Sequence, residues 1–417
     1  MKIETPTKPE KATLSGQTIL FFSLPRHDGH YTSTPWQLAE QLASNNRVLF
    51  ADNPFTFFDL VKGFFKRQIL TRIKSYFTGA SYRRNDVEII LMPFIFPVNF
   101  LRSGKWYEYV SLLNQKVIAR RLNRYLKQNN IQNIIYINSF NFYFPRLHKH
   151  LTSAVDLSVY HCIDPMVKAF TMKHGVYLQK RAAKESDVIV TTAPALQAQF
   201  KGGDFPKCYL VPNAANFELF SKVSYDQHVH PKLAGIEGKI LGYLGNIERR
   251  IDFHLLIRIL DILCDWRIVL VGPVERQYVP VEIFEHKRIN FVGPIPFQET
   301  PSAIRRFDVA MIPFKCDDVS SGIYPLKLFE YMAAGKPVVS TNFNPDVLKD
   351  LTDVVHTADY PEQFADFVLL AYATETKQKR EKRLFVASQN TWEQRAQLFS
   401  TYLAQELDVK HRLPHVA

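Results

Sequence analysis

The segment SSGIYPLKLFEYMAAGKPVVST, residues 320 to 341, places Lys327 and Glu330 three residues apart in what reads as the opening turns of a helix. Pro325 suits a helix start, and Gly335 followed by Pro337 marks its end. A cation in the first turn opposes the helix dipole, and base before acid is the weaker order for a helical pair. A bound anion reverses that penalty. Lys327 would then neutralise phosphate groups, while Glu330, one turn on, would accept hydrogen bonds from ribose hydroxyls. Ser320, Ser321 and Gly322 can form a tight turn that offers backbone amides to the same anion, with Tyr324 beside them. The alternative is an ordinary Lys-Glu pair on a helix surface, which is common at this spacing.

Such a site needs a scaffold, and the chain alternates short β-rich runs with helical patterns, the mark of α/β layering with parallel sheets. TILFFSL, RVLFAD, IIYINSF, LSVYHC and DVIVTTA read as strands in the first half, and TPWQLAEQLAS as a helix opening near Pro35. KILGYLGN, WRIVLVG, DVAMIPF and KPVVST repeat the scheme in the second half. With 417 residues the chain is too long for one ordinary core. The expected division is an N-terminal domain over 1–222, with a polar tail over 1–17, a linker over 223–237, a C-terminal domain over 238–388, and a final helix over 389–417 crossing back to the first domain. Two doubly wound domains facing a central cleft would bind ligands at the carboxyl ends of their strands.

Composition, 46% hydrophobic and 22% charged, is that of a globular protein. No apolar run reaches the roughly 18 residues of a membrane span, and the polar start lacks the core of a secretion signal, so a cytoplasmic location is expected. Cys162, Cys208, Cys264 and Cys316 lack paired spacing and read as reduced thiols. The net charge of +12 is concentrated in two stretches. Between Phe57 and Arg84, basic residues including Lys62, Lys66 and Arg67 interleave with Phe57, Phe58, Phe64 and Phe65, a mixture suited to an anionic bilayer surface. The second basic run, from Leu101 to Lys127, reads as a solvated helix face.

The segment PLKLFEYMAAGKPVVST closely resembles the donor-site segment of GT-B glycosyltransferases, enzymes with two Rossmann-like domains that use nucleotide sugars. DVIVTTAPALQAQF, YLVPNAANFELF, LGYLGNIERRIDFHLLIRI, RIVLVGPV and INFVGPIPFQETPSAIRRFDVAMIPF follow in the order usual for that family. The resemblance implies that Glu330 binds the nucleotide ribose and that Lys327 contacts the donor diphosphate, as in the bacterial polysaccharide subgroup. It implies further that Gly245 lies close to the phosphates, that Arg249 or Arg250 faces them, and that the loop from Gly293 to Phe297 holds the base. Many retaining members carry a second glutamate eight positions before the ribose-binding one, where this chain has Gly322. The surroundings of PLK look more like enzymes that glucuronylate or otherwise extend lipid-linked polysaccharide precursors, and inversion is the favoured outcome.

An inverting transfer needs a base for the acceptor hydroxyl. Asp164, just beyond LSVYHC, is the leading candidate, with a helix N-cap as its structural alternative, and His161 is second by its ordinary pKa. His27, Asp28 and His30, in the loop after the first strand, would bind the acceptor or supply the base instead. No metal and no cofactor are expected, and the nucleotide sugar, which the resemblance implies is UDP-linked, is a co-substrate. The reading is thus a peripheral glycosyltransferase at the inner membrane face acting on a lipid-linked or polysaccharide acceptor. A nucleotide-sugar 2-epimerase on the same fold and a basic nucleic-acid or membrane-binding protein without catalysis are the alternatives. No nucleic-acid module is recognisable, and neither GxGxxG after a first strand nor GxxxxGK[ST] is present.

Overall fold

The structure, a computed structural model, describes residues 13–29, 32–62, 70–74, 81–166, 173–224 and 228–412. It divides into two compact units: unit 1 comprises 1–192, 196–211 and 395–417, and unit 2 comprises 193–195 and 212–394. Both are layered α/β units.

Unit 1 is built on β1 (Thr18–Ser23), β2 (Arg47–Asp52), β3 (Tyr82–Arg84), β4 (Val87–Ile90), β5 (Asn133–Ser139), β6 (Ala154–Cys162), β7 (Val188–Thr191) and β8 (Cys208–Leu210). Their order across the sheet is β3-β4-β2-β1-β5-β6-β7-β8. All neighbours run parallel except β3 and β4, which form a hairpin. Asn85 and Asp86 close that hairpin with φ of 48° and 62°, the left-handed geometry that Asn and Asp tolerate best. Among the described residues of the basic stretch from Phe57 to Arg84, Phe57–Lys62 is a helix and Arg83 and Arg84 lie on the edge strand β3.

Unit 2 carries β9 (Lys239–Leu244), β10 (Trp266–Val271), β11 (Ile289–Gly293), β12 (Val309–Ile312), β13 (Val338–Thr341) and β14 (Val355–Ala358). All are parallel, in the order β11-β10-β9-β12-β13-β14. The chain winds outward from β9 in one direction, then returns to β9 and continues in the other. Sheet order therefore reverses between β9 and β12, the place where open α/β sheets generally bind ligands, at the carboxyl ends of the strands. The expected strands of both halves are all present, and apolar runs such as WRIVLV are covered on both faces, as parallel strands must be.

The expected boundaries shift. Residues 212–222 belong to unit 2 because Leu219 and Phe220 are buried in its core. The stretch expected as a linker is likewise packed into unit 2, where Leu233 is fully buried and His230 N donates to Ser302 O at 3.1 Å. The end of the expected polar tail is tied into unit 1, since Leu14 is buried and its amide donates to Ser400 Oγ at 2.7 Å. Residues from Arg395 onward group with unit 1, where Phe399 meets His161 edge-on and Tyr402 stacks on Tyr209 with centroids 4.1 Å apart.

Candidate functional site

Unit 2 gathers its candidate residues at the carboxyl ends of β9 and β12. The loop leaving β9 is sewn to the loop leaving β12: Asp252 N donates to Pro313 O and Lys315 N to Arg250 O, each at 2.8 Å. It is also joined to β10, with Gly245 N donating to Val271 O at 2.8 Å, and Gly272 N in turn donates to Gly293 O at 3.0 Å. Four strand ends thus form one rigid rim.

The helix Leu326–Ala333 starts at this rim with Pro325 at its N-cap, and it ends before Gly335, whose φ of 69° suits glycine. Lys327 extends across to Gly245. A Cβ at position 245 would lie 2.0 Å from Lys327 Cε and 2.7 Å from Nζ, so any larger residue there would push the end of the lysine aside. Its φ of 147° is a second reason for glycine. Lys327 Nζ lies 5.6 Å from the Tyr243 ring centroid and 5.8 Å from that of Phe314, while the Arg250 guanidinium lies 5.6 Å from the same Phe314 ring. Two cations therefore lie close to one aromatic ring. Glu330 keeps part of its surface exposed, yet its carboxyl is deep enough that burial raises its pKa, with Lys327 pulling the other way.

The turn at Ser320–Gly322 forms but its amides are already used. Ser320 N donates to Asp317 Oδ1 at 2.8 Å, Ser321 N to Asp317 O at 3.0 Å, Gly322 N to Val319 O at 3.3 Å and Ile323 N to Ser320 O at 3.0 Å. The expectation that this turn offers amides to an anion is thus overturned, because a 3-10 turn consumes its own donors. Ser320 Oγ is buried and has no hydrogen-bond partner among the described residues. Tyr324 stacks on Phe329 with centroids 5.5 Å apart. Arg249 and Arg250 are half-buried rather than solvated, and both pair with the buried Glu248, Arg249 at 3.7 Å. Glu248, Tyr243 and Phe314 escaped the sequence reading, although Glu248 stands directly before the two arginines.

Unit 1 gathers a second polar cluster at the carboxyl ends of β1 and β2. His27 Nδ1 meets Asp52 Oδ2 at 3.0 Å, and Arg72 bonds Asp52 Oδ2 at 2.6 Å and Asp28 Oδ2 at 3.2 Å. The Tyr82 hydroxyl meets His27 Nε2, and burial, then Asp52 and Asp28, push its pKa up to about 12. The Arg26 and Arg72 guanidiniums lie 3.8 and 4.5 Å from the Phe55 ring centroid. Burial, then Arg72, lower the pKa of Arg26. Ligand atoms of His27, Asp28 and Asp52 lie within 4.8 Å of one another, but the Arg72 guanidinium bonds both carboxylates and takes the place a cation would fill.

Asp164 is exposed in the loop beyond β6. His161 is fully buried, holds Ser139 Oγ at 3.0 Å through Nδ1, and has its pKa lowered to about 3 by burial. Its candidacy as a base fails, because the ring is sealed in the sheet and favours the neutral form so strongly. Phe57 and Phe58 are exposed. His30, Phe64, Phe65, Lys66, Arg67 and the side chain of Lys62 lie outside the described residues. No helix among the described residues is long and apolar enough to cross a membrane.

Residues 238–373 match the family described as Glycosyl transferases group 1. A provisionally named teichuronic acid biosynthesis glycosyltransferase of Bacillus subtilis (strain 168), TuaH, is 34% identical over 140 residues. That match takes in 33% of this chain and 34% of TuaH, so the chain spans about a third of the length of the curated relative it matches. Among solved structures, sucrose-phosphate synthase from Thermosynechococcus elongatus superposes with a TM-score of 0.65 at 14% identity, over 94% of this chain and all (100%) of that one. HepE of Anabaena, in complex with UDP, gives 0.62 at 14% identity over 93% and 100%. The chain therefore has the GT-B fold, and the match to glycosyl transferases group 1 falls within its second unit.

Proposed function

We propose that the chain transfers a sugar from a nucleoside diphosphate sugar to a lipid-linked or polysaccharide acceptor at the inner face of the cell membrane. The observation that carries this reading is Lys327 threaded against Gly245 at the carboxyl ends of β9 and β12, with Glu330 one turn deeper. The leaving diphosphate needs positive charge as the glycosidic bond breaks, and Lys327 with Arg250 supplies it from a preorganised position. Glu330 receives the ribose hydroxyls. Asp164, on unit 1, takes the proton of the acceptor hydroxyl, and the anomeric configuration inverts. Arg249, Tyr324 and Gly293 complete the surroundings of the nucleotide, and His27 and Asp28 belong to acceptor recognition. UDP is the favoured diphosphate, because HepE holds it and the E. coli trehalose-6-phosphate relative holds UDP-2-fluoro glucose.

The test is calorimetric titration of UDP, GDP, CDP and ADP into the intact protein and into Lys327→Ala. Selective binding of one diphosphate, weakened in the variant by roughly ten- to a hundred-fold as a charge-assisted hydrogen bond is lost, is the expected result. Equal binding by the variant, or binding of none, would reject the site.

A further inference from the structure

We propose that the exposed face of the helix Lys105–Gln128 seats unit 1 on an anionic lipid surface. Membrane contact belongs to the function proposed above, but the sequence assigned it to the Phe57–Arg67 region and read this helix as merely solvated.

The helix has one acid, Glu108, which is held by Arg181 at 2.8 and 2.9 Å. Its inner side is buried through Tyr107, Ser111, Asn114, Ile118, Leu122 and Tyr125. Its outer side divides in two. The N-terminal half exposes Trp106 at 75%, Tyr109 at 57% and Leu112 at 38%. The C-terminal half exposes Lys116, Arg120, Arg124 and Lys127, none of which forms an ion pair among the described residues. At 3.6 residues per turn all seven fall within about 120° of the helix circumference, so rings, aliphatic carbon and cations share one stripe. Phe100, 70% exposed, precedes the aromatic end.

A solvated face does not leave an indole three-quarters exposed beside a tyrosine and a leucine. Nor does chance alignment explain four unpaired cations that continue the same stripe. The pattern fits an interface: rings at headgroup depth and basic residues over lipid phosphates. The charge decides between a lipid and an apolar protein partner, because four unpaired cations call for an anionic surface as extended as the helix.

Trp106 makes the proposal directly readable. Of the four tryptophans, Trp36, Trp266 and Trp392 are buried, so a change in tryptophan emission on vesicle addition comes from Trp106. Vesicles of equal parts phosphatidylglycerol and phosphatidylcholine should shift the emission to the blue, and brominated lipids should quench it. Pure phosphatidylcholine should do neither. Each basic residue is worth roughly five-fold in partitioning, so the combined Lys116→Ala, Arg120→Ala, Arg124→Ala and Lys127→Ala variant should lose a hundred-fold or more at low salt. Trp106→Ser with Tyr109→Ser should lose about ten-fold. UDP binding and the thermal melt, followed on the same variants, show that they are folded. Flotation of the charge variant equal to wild type, or flotation without any change in Trp106 emission, would overturn the assignment. So would loss of duplex oligonucleotide binding in the charge variant with vesicle binding intact. Failure of UDP binding in wild type with vesicle binding preserved would reject the donor reading and leave this one standing.

Discussion

Gly245 and Lys327 form a pair whose coupling is calculable from geometry. In Gly245→Ala the new Cβ would sit 2.0 Å from Lys327 Cε, against an ordinary contact of about 3.4 Å or more, so the lysine must retreat by more than an ångström. A displacement of that size takes the ammonium out of hydrogen-bond range of a phosphate, and a charge-assisted bond is worth about 1.5–3 kcal/mol. UDP affinity should therefore fall by roughly ten- to 150-fold. Alanine at a φ of 147° also strains the backbone, at about 1–3 kcal/mol in stability. The two effects separate in a double-mutant cycle read by calorimetry and thermal melting. With Lys327→Ala already present, Gly245→Ala should cost the same stability but almost no further affinity. Full additivity in affinity would show that the glycine acts on the nucleotide without the lysine, and the geometric reasoning would fail.

Glu330→Gln should stabilise the ligand-free protein at neutral and higher pH. Burial raises the Glu330 pKa in the folded state, so its stability contribution is complete below the ordinary carboxylate value and is lost as pH rises through the raised value. Melting temperatures of wild type and variant should therefore separate as pH climbs through that window, and parallel curves would contradict the raised pKa. Asp164→Asn should lower transfer by about 10²–10⁴ while leaving UDP binding unchanged, measured as product formed per folded molecule. His161→Leu should instead lose about 1–3 kcal/mol of stability, through the orphaned Ser139 hydroxyl, with activity per folded molecule retained. Asp52→Asn should lose about 3–5 kcal/mol in a melt, because the fully buried carboxylate pairs with Arg72 and His27.

The strands and the helix Leu326–Ala333 were legible because hydrophobic period, Pro325 and Gly335 all act within a few residues of themselves. Lys327 was legible for a different reason, a cation placed against the helix dipole where local physics disfavours it. Partnerships across the sheet were not. Glu248 could be seen as an acid before two arginines, but its burial depends on the loop being stitched to Pro313 and Lys315. Ser320–Gly322 misled because a tight turn can expose its amides or consume them, and only Asp317, three residues upstream, decides between the two. His161 looked suited to proton transfer by its ordinary pKa, yet its environment comes from Ser139 and Phe399, 22 and 238 residues away in sequence.

The arrangement around Phe314 bears on the function proposed above. Lys327 and Arg250 lie 5.8 and 5.6 Å from one ring centroid, so two like charges lie close to a single side chain. Glu248 offsets Arg250, and Glu330 offers Lys327 less, since burial favours its neutral form. The helix dipole adds to the positive potential at Lys327. A neutral residue at 327 would remove that repulsion, although the φ of 147° would still favour glycine at 245. Under the function proposed above, a doubly charged diphosphate between the lysine and the loop after β9 would relieve the same repulsion. Such relief separates this site from the His27, Asp52 and Arg72 cluster, where the charges already satisfy one another.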